Sequence, residues 1–188
     1  RGAPAAEPAE FPVAAPATPA PGVPAGAMPA DAVWAELAAK VRACTLCGLH
    51  RTRTQTVFGI GKRDARLFVI GEAPGADEDR QGEPFVGRAG QLLNAMLRSI
   101  GLPRPEVYIA NILKCRPPNN RGPEQSESAS CTPYLSRQIE LVQPRVLLAV
   151  GRIAGQWLLQ THGPIGRIRA RARCSAWASD CASLFTGT

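Results

Sequence analysis

Two groups of residues carry most of the chemistry this sequence offers. The first is a set of cysteines. Cys44 and Cys47 form a C-x2-C pair, Cys115 lies far downstream, and Cys131 follows after 15 intervening residues. A C-x2-C turn lets two thiolates converge on one metal centre, and two more thiolates from other loops complete a four-sulfur shell. The spacing admits an iron–sulfur cluster, zinc or unliganded core thiols. Zinc ribbons usually repeat the short C-x2-C turn in both halves, and this chain does not. A disulfide framework is not expected, because nothing marks export and the folding unit is large enough to do without staples. Cys174 and Cys181 lie in a C-terminal stretch of different character.

The second group is the run from Gly71 to Leu93, GEAPGADEDRQGEPFVGRAGQLL. Gly71, Pro74 and Gly75 predict a tight turn whose backbone N–H groups face a crevice. Gly87, Ala89 and Gly90 leave room for a ligand or phosphate at the start of the next helix. Glu72 is a carboxylate that could orient a water. Phe85 is an aromatic on a loop otherwise short of apolar anchors, and it could stack on a planar base. The same run also fits a nucleotide or phosphate loop in which Phe85 simply caps the core.

These residues need a scaffold, and the hydrophobic pattern supplies one. Helical spacing over 31–43 starts at Asp31, with Val33 or Trp34, Leu37 and Val41 on one face. Residues 66–71 read as a buried strand ending at glycine. A helix over 89–100 has Leu92, Leu93, Met96 and Ile100 at helical spacing and stops at Gly101. A second strand spans 106–112, a proline-rich loop 116–123, and a long helix from Pro123 to about Val142 has Tyr134, Leu135 and Ile139 inward. A third strand, 145–150, runs into Gly151 and a helix over 152–160. Strands alternating with helices predict an α/β fold, a three-layer α/β/α unit around a mostly parallel sheet. Ligands in such sheets bind at the carboxyl ends of the strands. Those ends are Gly71–Gly75, Asn111–Arg116 and Gly151.

Composition divides the chain. Pro, Ala and Gly fill 22 of the first 30 positions, eight of them proline. Residues 1–30 therefore read as a disordered or polyproline-like arm. Residues 31–166 form the folding unit, and 167–188 an atypical basic tail. Arg1 against Glu7 and Glu10 leaves the arm at −1, so the rest carries +8 of the net +7. A basic unit is compatible with an anionic partner, nucleic acid first. No apolar run approaches the ~18–20 residues a membrane span needs, and the first residues lack a signal-peptide pattern.

Three separated motifs then point one way. GEAPGADEDRQGEPFVGRAGQLL, NILKCRPPNNRGP and the spacing of Cys44, Cys47, Cys115 and Cys131 resemble the family 4 uracil-DNA glycosylases, the iron–sulfur type. The resemblance runs from about Val33 to about Gly166. It implies a glycosylase fold and a [4Fe-4S] cluster held by those four cysteines, structural rather than redox-catalytic. It further implies that uracil is flipped out of DNA and its N-glycosidic bond hydrolysed, leaving an abasic site. Phe85 would stack on the base, and Asn111 would read its edge with one donor and one acceptor. The backbone at Gly71, Glu72 and Ala73 would complete the pocket, and Glu72 would hold or activate the water. Arg88, Lys114, Arg116, Gly151 and Arg152 are candidate phosphate contacts. The partner expected is uracil-containing DNA, with the arm open to a repair or replication protein. The protein is expected to be a cytoplasmic prokaryotic monomer, with no membrane contact.

One family feature has no counterpart. The family carries a His-Pro loop after a last strand, whose histidine helps bind the base and stabilise the leaving group. Neither His50 nor His162 lies in such a motif. Residues 167–188, RIRARARCSAWASDCASLFTGT, lack a strand pattern and resemble an out-of-frame reading of GC-rich DNA. The expectation is an ending lost near Gly166; the alternative is a divergent tail whose Arg167, Arg169, Arg171 and Arg173 grip DNA. Two other readings compete with the enzyme: a binding module of the same fold without turnover, and an unrelated iron–sulfur or zinc α/β protein.

Overall fold

A computed structural model describes residues 30–164 and Gly166. The arm, apart from Ala30, and the 167–188 tail lie outside the described residues. The elements are α1 (Ala30–Arg42), β1 (Ile60–Gly61), β2 (Leu67–Gly71), α2 (Ala76–Gln81), α3 (Arg88–Ser99), β3 (Tyr108–Asn111), α4 (Gln125–Val142), β4 (Val146–Ala149) and α5 (Arg152–Leu159). The four strands form one sheet in the order β1-β3-β2-β4. β2 pairs in parallel with both β3 and β4, and the short β1 pairs antiparallel with β3. The expected mostly parallel α/β sheet is present.

The layering follows from the two-residue period of β2. Phe68 and Ile70 face Trp34 of α1, Leu135, Ile139 and Val142 of α4 and Ala154 of α5. Leu67 and Val69 face Leu93 and Leu97 of α3. Helices thus cover both faces, so β2 reads as a continuous apolar run. Burying a side chain such as Phe68 contributes about 1.5–3 kcal/mol.

The chain leaves β2 for β3 on one side and later returns for β4 on the other. A parallel sheet opens a crevice where its strand order diverges in this way, at the carboxyl ends. Gly71 and Asn111 are paired in register there, one step beyond the pairing of Ile70 with Ala149.

The structure corrects the sequence reading in several places. Leu92, Met96 and Ile100 are exposed, and Leu93 and Leu97 form the buried face of α3. The apolar stripe was wider than the face the sheet can cover. The long helix begins at Gln125 rather than Pro123, with Glu124 as its cap. The Glu127 carboxylate accepts the Glu124 N–H at 2.9 Å, which fixes that start. The polar loop after Gly75 contains α2, whose first turn carries Asp77, Glu78 and Asp79. Three carboxylates at a helix N-terminus complement its dipole, a signal that outweighed the missing hydrophobic period. No helix among the described residues is long and apolar enough to cross a membrane.

Candidate functional site

The site is built where β2 and β3 end. Gly71 closes β2 without a side chain, and the space above it is filled by two neighbours. A Cβ at Gly71 would lie 2.2 Å from Asn111 Oδ1 and 2.6 Å from Phe85 Cε2. The amide of Asn111 and the ring of Phe85 therefore meet over the Gly71 backbone. Asn111 is 2% exposed and is held by strand pairing, so its side chain is aimed by the sheet. Phe85 is half-buried and packs against the α3 side of the core.

Phe85 is held in an uncommon conformation. Its φ is +55°, in the left-handed region that side chains other than glycine seldom adopt. Such a residue costs about 1–3 kcal/mol and persists where its surroundings over-determine it. The surroundings do so here. Glu78 Oε1 accepts the N–H groups of Val86 at 3.0 Å and Gly87 at 3.1 Å, while its Oε2 accepts the Gly75 N–H at 3.0 Å. Arg104 donates to the carbonyls of Pro84 at 2.6 Å and Phe85 at 3.2 Å. Gly90, expected to leave room for a ligand, instead admits the Phe85 carbonyl: a Cβ there would sit 1.8 Å from that oxygen.

Glu72 follows Gly71 and is half-buried beside Gly122 of the 116–123 loop. Burial raises its carboxyl above the usual value, and the Arg152 charge partly opposes this. Its main-chain carbonyl accepts the Leu113 N–H at 3.1 Å, continuing the β2–β3 pairing past the strand ends. Ala73, next in the turn, packs against the group containing Cys47, Cys115, Cys131, Leu49 and Leu113.

The four cysteines named from sequence gather on this side. Cys115 and Cys131 are buried, Cys44 and Cys47 half-buried, and none is in a disulfide. Arg53 donates to Cys115 Sγ at 3.0 Å. The Lys114 backbone N–H donates to the Cys131 sulfur, and Tyr134 is hydrogen-bonded to Cys44. Burial pushes the Cys131 thiol up to about 11, which its N–H partner only partly offsets. Cys115 is raised for the same reason against the Arg53 contact. A donor set of four thiols, two buried and two half-buried, already met by N–H and guanidinium donors, fits a positively charged centre that would favour the thiolates. Among the described residues no three His, Cys, Asp or Glu side chains close on the position of a single metal ion.

The candidate phosphate contacts divide. Arg88 and Arg152 are exposed at the starts of α3 and α5, with Gly151 exposed beside Arg152. Arg116 is half-buried and donates to Asn120 Oδ1 at 2.7 Å. Lys114 is corrected: it is 1% exposed and points into the core. Its ammonium donates to the Asn111 carbonyl at 2.8 Å and to Gln138 Oε1 at 2.6 Å. Burial drives its pKa down to about 7, against the opposing pull of Cys131 and Cys115. A lysine beside a strand end reads as a surface charge until the helix that covers it is known; here that helix is α4.

Sequence reading missed Glu78 and Arg104. Glu78 had a signal, since Gly75-x-x-Glu at a helix start is a capping pattern. Arg104 had none, because its partners lie 19 and 20 residues away. Asp79 was also missed; its buried carboxylate accepts the Thr54 N–H at 3.0 and 3.1 Å and ties the 52–56 loop to α2.

The sheet is mostly parallel, and an aromatic ring and an amide converge at its strand ends, a stacking face beside a hydrogen-bonding edge. Comparison with known proteins gives the family. Residues 58–183 match the model of the uracil DNA glycosylase superfamily, and the chain belongs to it. The match enters the tail that composition set apart. The chain is 50% identical over 123 residues to a type-4 uracil-DNA glycosylase of Archaeoglobus fulgidus, covering 65% of this chain and 62% of that protein. It is 49% identical over 118 residues to one of Thermotoga maritima, covering 63% and 62%. One of Sulfurisphaera tokodaii is 43% identical over 129 residues, covering 68% and 59%. The chain spans about three fifths of the length of these relatives.

Proposed function

We propose that this protein excises uracil from DNA by hydrolysing its N-glycosidic bond. The observation that carries the reading is the convergence of Phe85 and Asn111 over Gly71. A flipped pyrimidine needs a stacking surface for its face and a paired donor and acceptor for its edge. The Phe85 ring supplies the first. The Asn111 amide supplies the second, matching uracil O4 and N3–H. Cytosine presents a donor at the exocyclic position and ring N3 as an acceptor, so the same amide orientation would face two mismatches. The backbone at Gly71, Glu72 and Ala73 closes the pocket floor.

Glu72 acts on water. Its carboxylate holds the attacking molecule and takes its proton as the new bond to the sugar carbon forms and the bond to the base breaks. The electron pair of the breaking bond leaves with the base as a uracil anion, which N–H donors in the pocket stabilise. Arg88, Arg116, Gly151 and Arg152 contact phosphates on either side of the extruded nucleotide.

Cys44, Cys47, Cys115 and Cys131 hold a [4Fe-4S] cluster. The sulfurs of a multi-iron cluster bind different irons, so they need not close on one point as ligands of a single ion do. When bound, the cluster supplies cross-linking of the chain rather than a reacting group. The residues it would join are the end of α1, the 3-10 turn after Cys47, the loop after β3 and the second turn of α4. The protein works as a cytoplasmic monomer, and its arm is available to a repair or replication partner.

The test is release of uracil from a single-stranded oligonucleotide containing one uracil, with a thymine oligonucleotide as control. Selective release supports the reading. Tight, uracil-selective binding without release would make the protein a binding module, and no selectivity would remove the reading.

A further inference from the structure

Phe85 is gripped from both sides by opposite charges. The Arg104 guanidinium takes the carbonyls of Pro84 and Phe85 in a two-pronged contact at 2.6 and 3.2 Å. The Glu78 carboxylate takes the N–H groups of Val86 and Gly87 at 3.0 and 3.1 Å. The Pro84 carbonyl belongs to the peptide group before the left-handed Phe85, the Phe85 carbonyl and the Val86 N–H to the one after it, and the Gly87 N–H to the next. Each charge is also anchored to the element behind it. Glu78 lies in α2 and reaches back to the Gly75 N–H, in the turn that follows Glu72. Arg104 lies in the 3-10 turn leading into β3, and it reaches Asn94 of α3 at 3.4 Å. The Arg104 fork is half-buried and spent on main-chain carbonyls. A planar fork suits this use because its donors are fixed relative to one another.

We propose that Arg104 and Glu78 are positioning residues that lock Phe85 in its left-handed conformation and so set the plane on which the base stacks. The inference rests on the proposed uracil excision and deepens it. Through Arg104, the stacking ring is tied to the root of the strand whose far end carries Asn111. Through Glu78, it is tied to the turn that carries Glu72. Ring, amide and carboxylate are thereby referenced to one frame.

The experiment is a double-mutant cycle between Arg104→Lys and Phe85→Ala in the full chain, assayed on the single-uracil oligonucleotide at several salt concentrations. Lysine keeps the charge and loses the fork. If Arg104 acts through Phe85, Arg104→Lys raises KM and lowers kcat/KM by about ten- to a hundredfold. Its salt dependence stays that of the wild type. In the Phe85→Ala background the same substitution then costs less than about twofold, because there is no ring left to position. Losses that multiply in the double variant, or a salt slope reduced by about one in Arg104→Gln, which removes the charge, would make Arg104 a separate contact to DNA and overturn the proposal. No loss in Arg104→Lys also overturns it. Glu78→Gln provides a second cycle with the same expectation. If both single variants are unfolded by thermal melting, the grip is a folding determinant and the proposal falls. A wild type that releases no uracil would instead fail the proposed activity. The grip is then read from the NMR shifts of the Phe85 ring and amide, which move in Arg104→Lys if the proposal holds and stay in place if it does not.

Discussion

Asn111 Oδ1 lies so close above Gly71 that a single methyl group on Gly71 would stand 2.2 Å from it. The glycine is required by space, since its φ is not among the positive ones. Gly71→Ala should therefore push both the Asn111 amide and the Phe85 ring aside. Overpacking of this kind costs about 1–3 kcal/mol of stability. A displacement near 1 Å at a site can cost about 100-fold in rate. The expected result is a folded variant with a modestly lower Tm and a kcat/KM down about 100-fold, checked by thermal melting and uracil release.

Asn111→Ala should remove the edge reader while leaving the stacking ring. We expect kcat/KM on uracil to fall by about 10²–10³, the scale of losing a positioned polar contact in an active site. Asn111→Asp is more informative. It replaces the amide donor by an acceptor, so the uracil O4 contact is lost and a cytosine amino group gains a partner. Relative release of cytosine over uracil should rise, measured on matched oligonucleotides.

The acid limb of the activity should belong to Glu72. Its burial holds the carboxyl above the ordinary value, and a base must be ionised to act. Activity should fall on acidification with a midpoint above that of a free glutamate. Arg152 pulls the other way, so Arg152→Gln should move the midpoint higher still. The stability effect has the opposite sense. A carboxyl raised on folding contributes stability below its unfolded pKa and loses it as pH rises through the folded value. Glu72→Gln should therefore lose activity by about 10²–10⁴ yet melt no lower than the wild type at pH 7. A large drop in Tm would mean that Glu72 is structural.

Lys114 and Arg88 should separate under salt. Lys114→Met removes the ammonium from the Asn111 carbonyl and Gln138 Oε1 and leaves buried acceptors unpaired. That costs about 1–3 kcal/mol per orphaned group, read as a lower denaturation midpoint with an unchanged salt dependence of DNA binding. Arg88→Gln should leave stability alone and reduce the salt slope by about one.

The reach of the sequence depended on whether a residue's role was local. Leu37 and Val41 were legible because helical spacing puts them on one face; spacing left Val33 or Trp34 open beside them, and Trp34 is the one that α1 buries. β2, β3 and β4 were legible as short apolar runs ending near glycine or asparagine. Phe85 and Glu72 stood out because each is a chemically distinct residue in a glycine-rich turn. The inward turn of Lys114 was not legible, since its partner Gln138 is 24 residues away on α4. The exposure of Leu92, Met96 and Ile100 was hidden for a related reason: periodicity defines a stripe, and the sheet decides how much of it is covered. β1, two residues long, carries no pattern that could mark it.

The cysteine assignment makes its own prediction. Cys131→Ser should abolish a visible iron–sulfur absorbance in protein purified without oxygen. It should also lower Tm, because a ligand-stapled site contributes folding energy. Cys174→Ser should do neither. A visible chromophore that survives Cys131→Ser would contradict the assignment.

The measurement closest to the central claim is uracil release by the wild-type chain and by Asn111→Ala and Phe85→Ala, under single-turnover conditions. The wild type is expected to release uracil selectively over a thymine control, and each variant to lose at least about 100-fold with folding intact. A wild type that does not release uracil, or variants that release it at the wild-type rate, would rule out excision through Phe85 and Asn111.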